Sequence, residues 1–439
     1  MITRAHKRRG VLLGAALLVL ISCGASGGKL RCTSLLTCAW HDERFIPPAA
    51  PGLETPVCDA EHKLCVATQI SAGGDHSCAI AAAGELICWG DNSEAQLGPD
   101  LDATEPAADA GIDLSRFPIA LRGATRIAAG AAHTCALSAD GLVRCWGRNL
   151  HGQVNGHAEM DPVTTPQVVD VQGATQLAAG AAHSCAVVAD GVMCWGSARY
   201  GQVGRELSDA ALAPGVVPDT EGAVEVATGA RHTCARFDSG AVKCWGELYA
   251  ATPAVMQPTT APTLVPGIDA ATAIAAGAGH SCAIEAAGDV VCWGSNASGQ
   301  LGSRGSTPSA RPTRVPNIRR ALRLAAGGGE LDGRLVGHTC VVDTRFNVVC
   351  WGRNREGQLG AGMTESSMPV AVLGRRDGTD SHLGNVAELA LGAFHSCARH
   401  DDGPITCWGD DSFDQLGASA RNRTNFGRAE RVARFGSIR

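Results

Sequence analysis

From about residue 68 onward, apolar and polar positions alternate in short stretches with the two-residue period of half-buried β-strands, and turn residues separate each stretch. Ile127-Ala128-Ala129-Gly130 leads into His133-Thr134-Cys135-Ala136-Leu137. After an Asp140-Gly141 turn comes Leu142-Val143-Arg144-Cys145-Trp146-Gly147, then Gly152-Gln153-Val154, and the unit closes on Pro166-Gln167-Val168-Val169. Four strands joined by short turns make a unit of roughly 50 residues, the size of one propeller blade. The unit occurs seven times. His76, His133, His183, His232, His280, His338 and His395 each stand two residues before a Cys, and Trp89, Trp146, Trp195, Trp245, Trp293, Trp351 and Trp408 each follow a second Cys. Of the eight tryptophans only Trp40 falls outside the pattern.

A chain of 439 residues would ordinarily suggest two or more domains, but repetition removes that need. The pattern predicts an all-β fold: a seven-bladed β-propeller of four-stranded blades over residues 68–439, preceded by a small disulfide-rich segment. Composition agrees. Glycine is 55 of 439, well above the usual ~7%, and aromatics are 4%, so the chain makes many tight turns around a core of small aliphatic residues. These recurring residues resemble the repeat of the regulator of chromosome condensation family, sometimes grouped with BNR repeats. The resemblance covers roughly residues 68–438 and implies a seven-bladed propeller. A Cys pair in every blade departs from the cytosolic members and is similar to exported bacterial versions.

Fourteen cysteines fall into seven regular pairs: Cys78 with Cys88, Cys135 with Cys145, Cys185 with Cys194, Cys234 with Cys244, Cys282 with Cys292, Cys340 with Cys350, and Cys397 with Cys407. Each pair brackets a turn, which places one Cys on each arm of a hairpin. Residues facing each other there stand about 4.5–5.5 Å apart, within reach of a disulfide. Free buried thiols and Cys/His metal binding are the alternatives; strict pairing in an exported chain favours disulfides. Each short closed loop would stabilise its hairpin by roughly 2–3 kcal/mol on the chain-entropy model. Four further cysteines, Cys32, Cys38, Cys58 and Cys65, predict a stapled module over residues 23–67 that includes a Pro/Ala-rich spacer at residues 47–51, and their pairing is open among three arrangements.

The N-terminus reads as a targeting signal over residues 1–22. Arg4, Lys7, Arg8 and Arg9 precede an apolar run from Val11 to Ile21 that is too short to span a bilayer. Leu20-Ile21-Ser22-Cys23 resembles a bacterial lipobox, which implies lipidation of Cys23 and cleavage before it. An ordinary secretory signal or an uncleaved anchor is the alternative. Gly24 in place of an Asp would favour the outer membrane under the same resemblance. The expected location is the cell envelope, lipid-anchored, or secreted.

Net charge of −6 gives no global attraction to nucleic acid or anionic lipid. The recurrent His, Trp and Gly are expected to serve folding, with each indole NH finding a backbone acceptor and each His hydrogen bonding rather than ligating metal, because one His per blade is dispersed around the ring. Function is therefore sought where the repeat fails. Up-and-down connectivity puts the A–B and C–D loops of every blade on one face. That face collects the acidic loop of blade 1 with Asp100, Asp102 and Asp109, the segment Glu247-Leu248-Tyr249-Ala250 that replaces the Gly-Gln turn of blade 4, and an extended A–B loop of blade 6 from Gly327 to Gly337 carrying Glu330, Asp332 and Arg334. Asp100, Asp102, Asp109, Tyr249, Glu330, Asp332 and Arg334 are the candidate binding residues; neutral loop drift is the competing explanation. The three aspartates lack the Gly and terminal Glu of a calcium loop, so a solvated loop is expected and no metal is assigned. Arg421, Arg423, Arg428, Arg431, Arg434 and Arg439 make the C-terminus basic, suited to phosphate headgroups or to simple solvation.

No nucleophile elbow, HExxH or phosphate loop is present, so the sequence predicts no catalytic residues and no cofactor. A non-catalytic binding or scaffold protein, a monomer engaging an unknown protein or cell-surface polymer, is the leading expectation. A glycan-acting envelope enzyme ranks second, since nearly all Trp is framework and few aromatics remain for sugar stacking. Guanine-nucleotide exchange on a small GTPase, implied by the family name, requires a cytosolic partner and ranks last.

Overall fold

A computed structural model describes residues 24–26, 29–31, 67–99, 119–249, 256–268, 270–318, 320–345, 347–362, 365–376, 379–417 and 426–431. The chain divides into two compact units, Met1–Val57 and Cys58–Arg439. In the first, Gly24–Ser26 pairs with Lys29–Arg31. The second is an all-β propeller of seven four-stranded blades, each laid out in chain order A-B-C-D from the inner strand outward. Blade 1 runs from strand A at Ala67–Ala72 to strand D at Ile119–Leu121, blade 2 from Ala124–Ala129 to Val163–Val169, and blade 3 from Gln176–Ala179 to Ser208–Val216. Blade 4 runs from Ala223–Thr228 to Met256–Leu264, and blade 5 from Ala271–Ala276 to Ser309–Arg314. Blade 6 runs from Ala321–Leu331 to Ser366–Ala371, and blade 7 from Val386–Leu391 to Phe426–Arg431.

The repeat residues explain this arrangement. In every blade the two cysteines stand directly opposite in register on strands B and C, and their sulfurs are joined. In blades 1 to 4 the cystines are Cys78 with Cys88, Cys135 with Cys145, Cys185 with Cys194, and Cys234 with Cys244. In blades 5 to 7 they are Cys282 with Cys292, Cys340 with Cys350, and Cys397 with Cys407. The paired Cα atoms are 4.0–4.1 Å apart, closer than the separation expected for unlinked facing residues, because the covalent bridge draws the two strands together. Cys88, Cys194, Cys350 and Cys407, on the C strands, are fully buried, so the cystines belong to the framework of the blades and not to a binding surface. A cystine in every blade points to an oxidising, extracytoplasmic compartment. Among the described residues, no helix is long and apolar enough to cross a membrane.

The tryptophan that follows the second Cys is buried between its own sheet and the preceding one. Six of the seven indoles donate through Nε1 to the main-chain oxygen of the glutamine in the preceding blade's C–D turn, at 2.8–3.0 Å. Burial of ~150–250 Å² per indole corresponds to roughly 4–6 kcal/mol of transfer free energy, so the Trp is the main adhesive between neighbouring sheets.

The histidines form a second inter-blade connection. Each Nε2 meets a Ser or Thr hydroxyl of the next blade, from His76 with Thr134 (3.0 Å) around to His395 with Ser77 (2.8 Å). Six of those hydroxyls in turn donate to the same glutamine carbonyl that accepts from the Trp. A hydroxyl whose proton goes to a carbonyl must accept from the imidazole, so these histidines are neutral with the proton on Nε2. Burial holds His76, His133, His183, His280 and His338 down to about 3, and His232 and His395 to about 4.

The ring closes without exchanging a strand between the chain ends. Blade 7 is built entirely from C-terminal residues and meets blade 1 through the same contacts used elsewhere: Trp89 to Gln415, Ser77 with His395, and Ile70 N–H to the Glu388 carboxylate at 3.2 Å. One element was not expected. The link from blade 6 to blade 7 folds as a hairpin, Leu373–Arg376 with Thr379–His382, which joins the outer strand of blade 7 through a parallel bridge between Gly374 and Ala429. This insertion is a departure from the repeat in a D–A link, in addition to those expected in the A–B and C–D loops.

Candidate functional site

The seven A–B loops converge on the end of the central channel. Each begins with a glycine, preceded by Ala in five blades, by Thr228 in blade 4 and by Leu391 in blade 7, and the glycine is required by contact on two sides. A Cβ on Gly130 would stand 2.2 Å from the His133 ring and 2.6 Å from the Gly180 oxygen of the next blade. Main-chain hydrogen bonds then link loop to loop, including Ala131 N to Gly180 O (3.1 Å), Ala230 N to Ala278 O (3.0 Å) and Ala393 N to Gly73 O (3.1 Å). The result is a rigid collar around a cavity of about 710 Å³. Its wall is mostly Gly and Ala, and its polar groups come from one side.

Those groups form one cluster. Arg231, in the A–B loop of blade 4, pairs with Glu247 of its own blade at 3.2 Å and with Glu330 of blade 6 at 2.6 Å. Its guanidinium lies over the ring of Tyr200, in the C–D turn of blade 3, 4.5 Å from the centroid. Partial burial pulls Arg231 down, but its hydrogen bonds to Glu330 and Glu247 outweigh this and hold it firmly protonated. Arg199, Asp209 and His151 complete this wall. Four blades (2, 3, 4 and 6) thus supply one patch that offers both signs of charge and an aromatic face.

Glu330 reaches Arg231 because the segment from Gly327 to Gly337 is an ordered hairpin and not the loop expected from sequence. Strands A and B of blade 6 stay paired out to Leu331↔Arg334, and Asp332 and Gly333 make the two-residue turn with φ of 49° and 73°. Gly328, at φ 146°, lets the strand pass so close that a Cβ would meet the Val336 oxygen at 2.2 Å. Asp332 and Arg334 are exposed at its tip. Tyr249 lies elsewhere, at the end of strand C in blade 4, lining a separate pocket of about 290 Å³ between blades 4 and 5. Cys23, Cys32, Cys38, Cys58, Cys65, the signal at 1–22, Asp100, Asp102, Asp109, Arg421, Arg423, Arg434 and Arg439 lie outside the described residues; Arg428 and Arg431 fall in the outer strand of blade 7. Among the described residues no group of His, Cys, Asp or Glu is placed to hold a metal ion.

Sequence reasoning missed Tyr200 and Arg231. Tyr200 is one of only two tyrosines and occupies a turn position, a signal that could have found it. Arg231 stands where the other copies carry Ala, Asp, Gly or Phe just before the repeat His. The expectation that every repeat Trp finds a backbone acceptor also fails once. Blade 4 has no Gly-Gln turn, and the indole of Trp293, only 6% exposed, has no hydrogen-bond partner among the described residues.

Comparison with known proteins agrees with this architecture. Residues 33–331, more than half of the chain, match the RCC1-like domain, and residues 347–399 and 386–415 match the regulator of chromosome condensation (RCC1) repeat. A 94-residue stretch is 38% identical to the probable E3 ubiquitin-protein ligase HERC3 of Homo sapiens, covering 21% of this chain and 8% of that ligase. The match therefore spans a tenth or less of the length of such curated relatives. Human WBSCR16 superposes with a TM-score of 0.64 at 22% identity over 78% of this chain and 93% of its own. Yeast RCC1 (Prp20) in complex with Kap60 superposes with 0.62 at 20% identity over 90% and 91%. A further Saccharomyces cerevisiae structure, of Prp20p, a protein with binding properties toward Gsp1p and histones, gives 0.59 at 20% over 74% and 80%. The chain belongs to the RCC1-like domain family.

Proposed function

Starting from an RCC1-like propeller, we propose that this protein is a non-catalytic binding scaffold, held at a bacterial cell envelope by lipid on Cys23, that engages a protein or surface polymer through its A–B/C–D face. The observation that carries this reading is the cluster of Tyr200, Arg231, Glu247 and Glu330 at the channel mouth. The blade 6 hairpin, which departs from the repeat, is what brings Glu330 to it. A rigid collar presenting exposed Glu330, Asp332 and Arg334 above an arginine–tyrosine stack suits a polar partner, because preformed side chains lose little entropy on binding. The cystines support an exported location, and the Leu20-Ile21-Ser22-Cys23 sequence supports the anchor. Prp20p, with the same fold, binds Gsp1p and histones, so protein partners suit this ring.

Crosslinking pulldown from intact envelopes tests the face. A Glu330→Ala/Asp332→Ala/Arg334→Ala variant should lose its specific partner while its cystines stay intact; an unchanged partner set would remove the face assignment. Palmitate labelling should vanish in Cys23→Ala, and labelling that persists would remove the anchor.

A further inference from the structure

We propose that the pocket between blades 4 and 5 is a binding site for a peptide turn of a partner protein, one that places an aliphatic side chain in the pocket and a backbone carbonyl against Trp293 Nε1 and Ser281 Oγ. The other six interfaces show what normally fills this space.

At each of those interfaces the preceding blade's C–D turn inserts a glutamine followed by a buried aliphatic residue: Leu97, Val154, Val203, Leu301, Leu359 and Leu416. The glutamine's main-chain oxygen accepts two hydrogen bonds, from the Trp and from the Ser or Thr, as Gln300 does from Trp351 (2.9 Å) and Thr339 (3.1 Å). The turn then passes flat over the indole. A Cβ on Gly302 would come within 2.8 Å of Trp351 Nε1, and one on Gly360 within 3.0 Å of Trp408 Nε1.

Among the described residues, blade 4 does not supply this insert. Its C and D strands stay paired beyond the usual end, through Glu247↔Pro258 and Leu248↔Gln257 to Tyr249↔Met256. Six residues then separate the paired Tyr249 and Met256, against fourteen between the paired Gly294 and Ser309 of blade 5. Among the described residues, the apolar cluster around Trp293 has only the half-buried Leu248 from this part of blade 4 and no fully buried aliphatic residue equivalent to Leu301, and a pocket of about 290 Å³ remains, with Trp293 and Ser281 in its wall. Ser281 keeps its contacts to His232 (2.8 Å) and Cys234 (3.4 Å) but has no carbonyl acceptor among the described residues. Trp293 and Ser281 line this pocket without a protein carbonyl to accept from them among the described residues, so a ligand carbonyl there gains the two hydrogen bonds that the glutamine carbonyl makes at the other interfaces. The void is mostly apolar, and its donors sit as they do at the six filled interfaces. The ligand they select is therefore a carbonyl next to an aliphatic side chain, followed by a residue as slim as glycine. Glu247 lines this pocket and also pairs with Arg231, but neither Trp293 nor Ser281 touches the Arg231 cluster, so substitutions at these two residues test the pocket separately from the face that carries Glu330.

The probe is a capped heptapeptide with the sequence of residues 296–302, Asn-Ala-Ser-Gly-Gln-Leu-Gly, added to the full ¹⁵N-labelled protein. The Trp293 indole resonance is assigned by its loss in Trp293→Phe. It should move downfield and saturate, with the other indoles unchanged. Trp293→Phe, and independently Ser281→Ala, should weaken binding by about tenfold, the value of one lost hydrogen bond. A peptide with Asp in place of Leu should not bind. Absence of a saturable shift at Trp293, or binding unaffected by both substitutions, overturns the proposal. So does a Trp293 N–H that is protected from exchange in the free protein and becomes exposed when residues 250–255 are replaced by Asn-Gly, since the chain's own loop would then be the occupant.

Discussion

The interfaces on the two sides of blade 5 share nearly the same repeat residues and end in different states. Between blades 5 and 6, the Gln300 carbonyl joins Trp351 and Thr339, Leu301 fills the remaining space, and the indole is fully buried. Between blades 4 and 5, Trp293 and Ser281 occupy the same positions, but the insert is missing and a pocket is left. An identical residue is thus structural at one interface and available to a ligand at the next. What decides is the partner supplied by the preceding blade, so the chemistry of a repeat residue cannot be assigned from its own blade.

Acid provides the baseline for this comparison, because it should act on both interfaces and has the largest expected effect. The seven repeat histidines are held near 3 to 4 in the folded protein, whereas in the unfolded chain they take up protons near 6.5. Between those values the unfolded state binds more protons, so stability is intact above 6.5 and is lost as pH falls toward 4, by up to about 1.4 kcal/mol per pH unit for each histidine. Asp75 works the other way: burial, then the charges of Asp410 and Asp91, raise it to about 6, so its penalty is absent at low pH and develops as pH rises through that range. One aspartate should not offset seven histidines. Melting curves between pH 7 and 4.5 should show a steep decline, and a flat profile would contradict neutral buried imidazoles.

The next largest effect separates the two interfaces. Trp351→Ala should cost roughly 3–5 kcal/mol through lost burial and a new cavity. Trp293→Ala should cost about 1 kcal/mol less, since no indole hydrogen bond is broken and the site already adjoins a void. Equal losses by denaturant titration would break the comparison. The smallest effect sharpens it. Thr339→Ala leaves His280 Nε2 without its acceptor and removes a donor from the Gln300 carbonyl, and should cost about 1–3 kcal/mol. Ser281→Ala removes only the contacts to His232 and Cys234 and should cost about 1 kcal/mol less in the same measurement.

Much of this molecule was legible in the sequence because a repeat states its contacts seven times over. Alternation gave the strands, Asp-Gly and Ser-Gly pairs gave the B–C turns, and the spacing of Cys282 and Cys292 placed them opposite each other. Glu330, Asp332 and Arg334 were found as an insertion, yet the ordered hairpin was not, because pairing across Gly327-Gly328-Gly329 depends on packing against blade 7. Arg231 could not be joined to Glu330, 99 residues away, by any local pattern. The hairpin at 373–382 was missed because its stability comes from the outer strand of blade 7.

By itself the sequence determined the blade: its four strands, its cystine, its Trp and His, and the number of copies, all set by short-range periodicity and turn chemistry. Only the tertiary structure decided how those blades meet. The Trp, Ser and Thr contacts between adjacent blades join residues about 30 to 60 positions apart, or more than 300 where blade 7 meets blade 1, and depend on whether the neighbour offers a carbonyl at the right place. A hydrogen bond needs two partners, and the sequence of one blade specifies only one of them. That is why the loss of a turn in blade 4 is visible in the sequence, while its consequence at Trp293 of blade 5 appears only in the assembled ring.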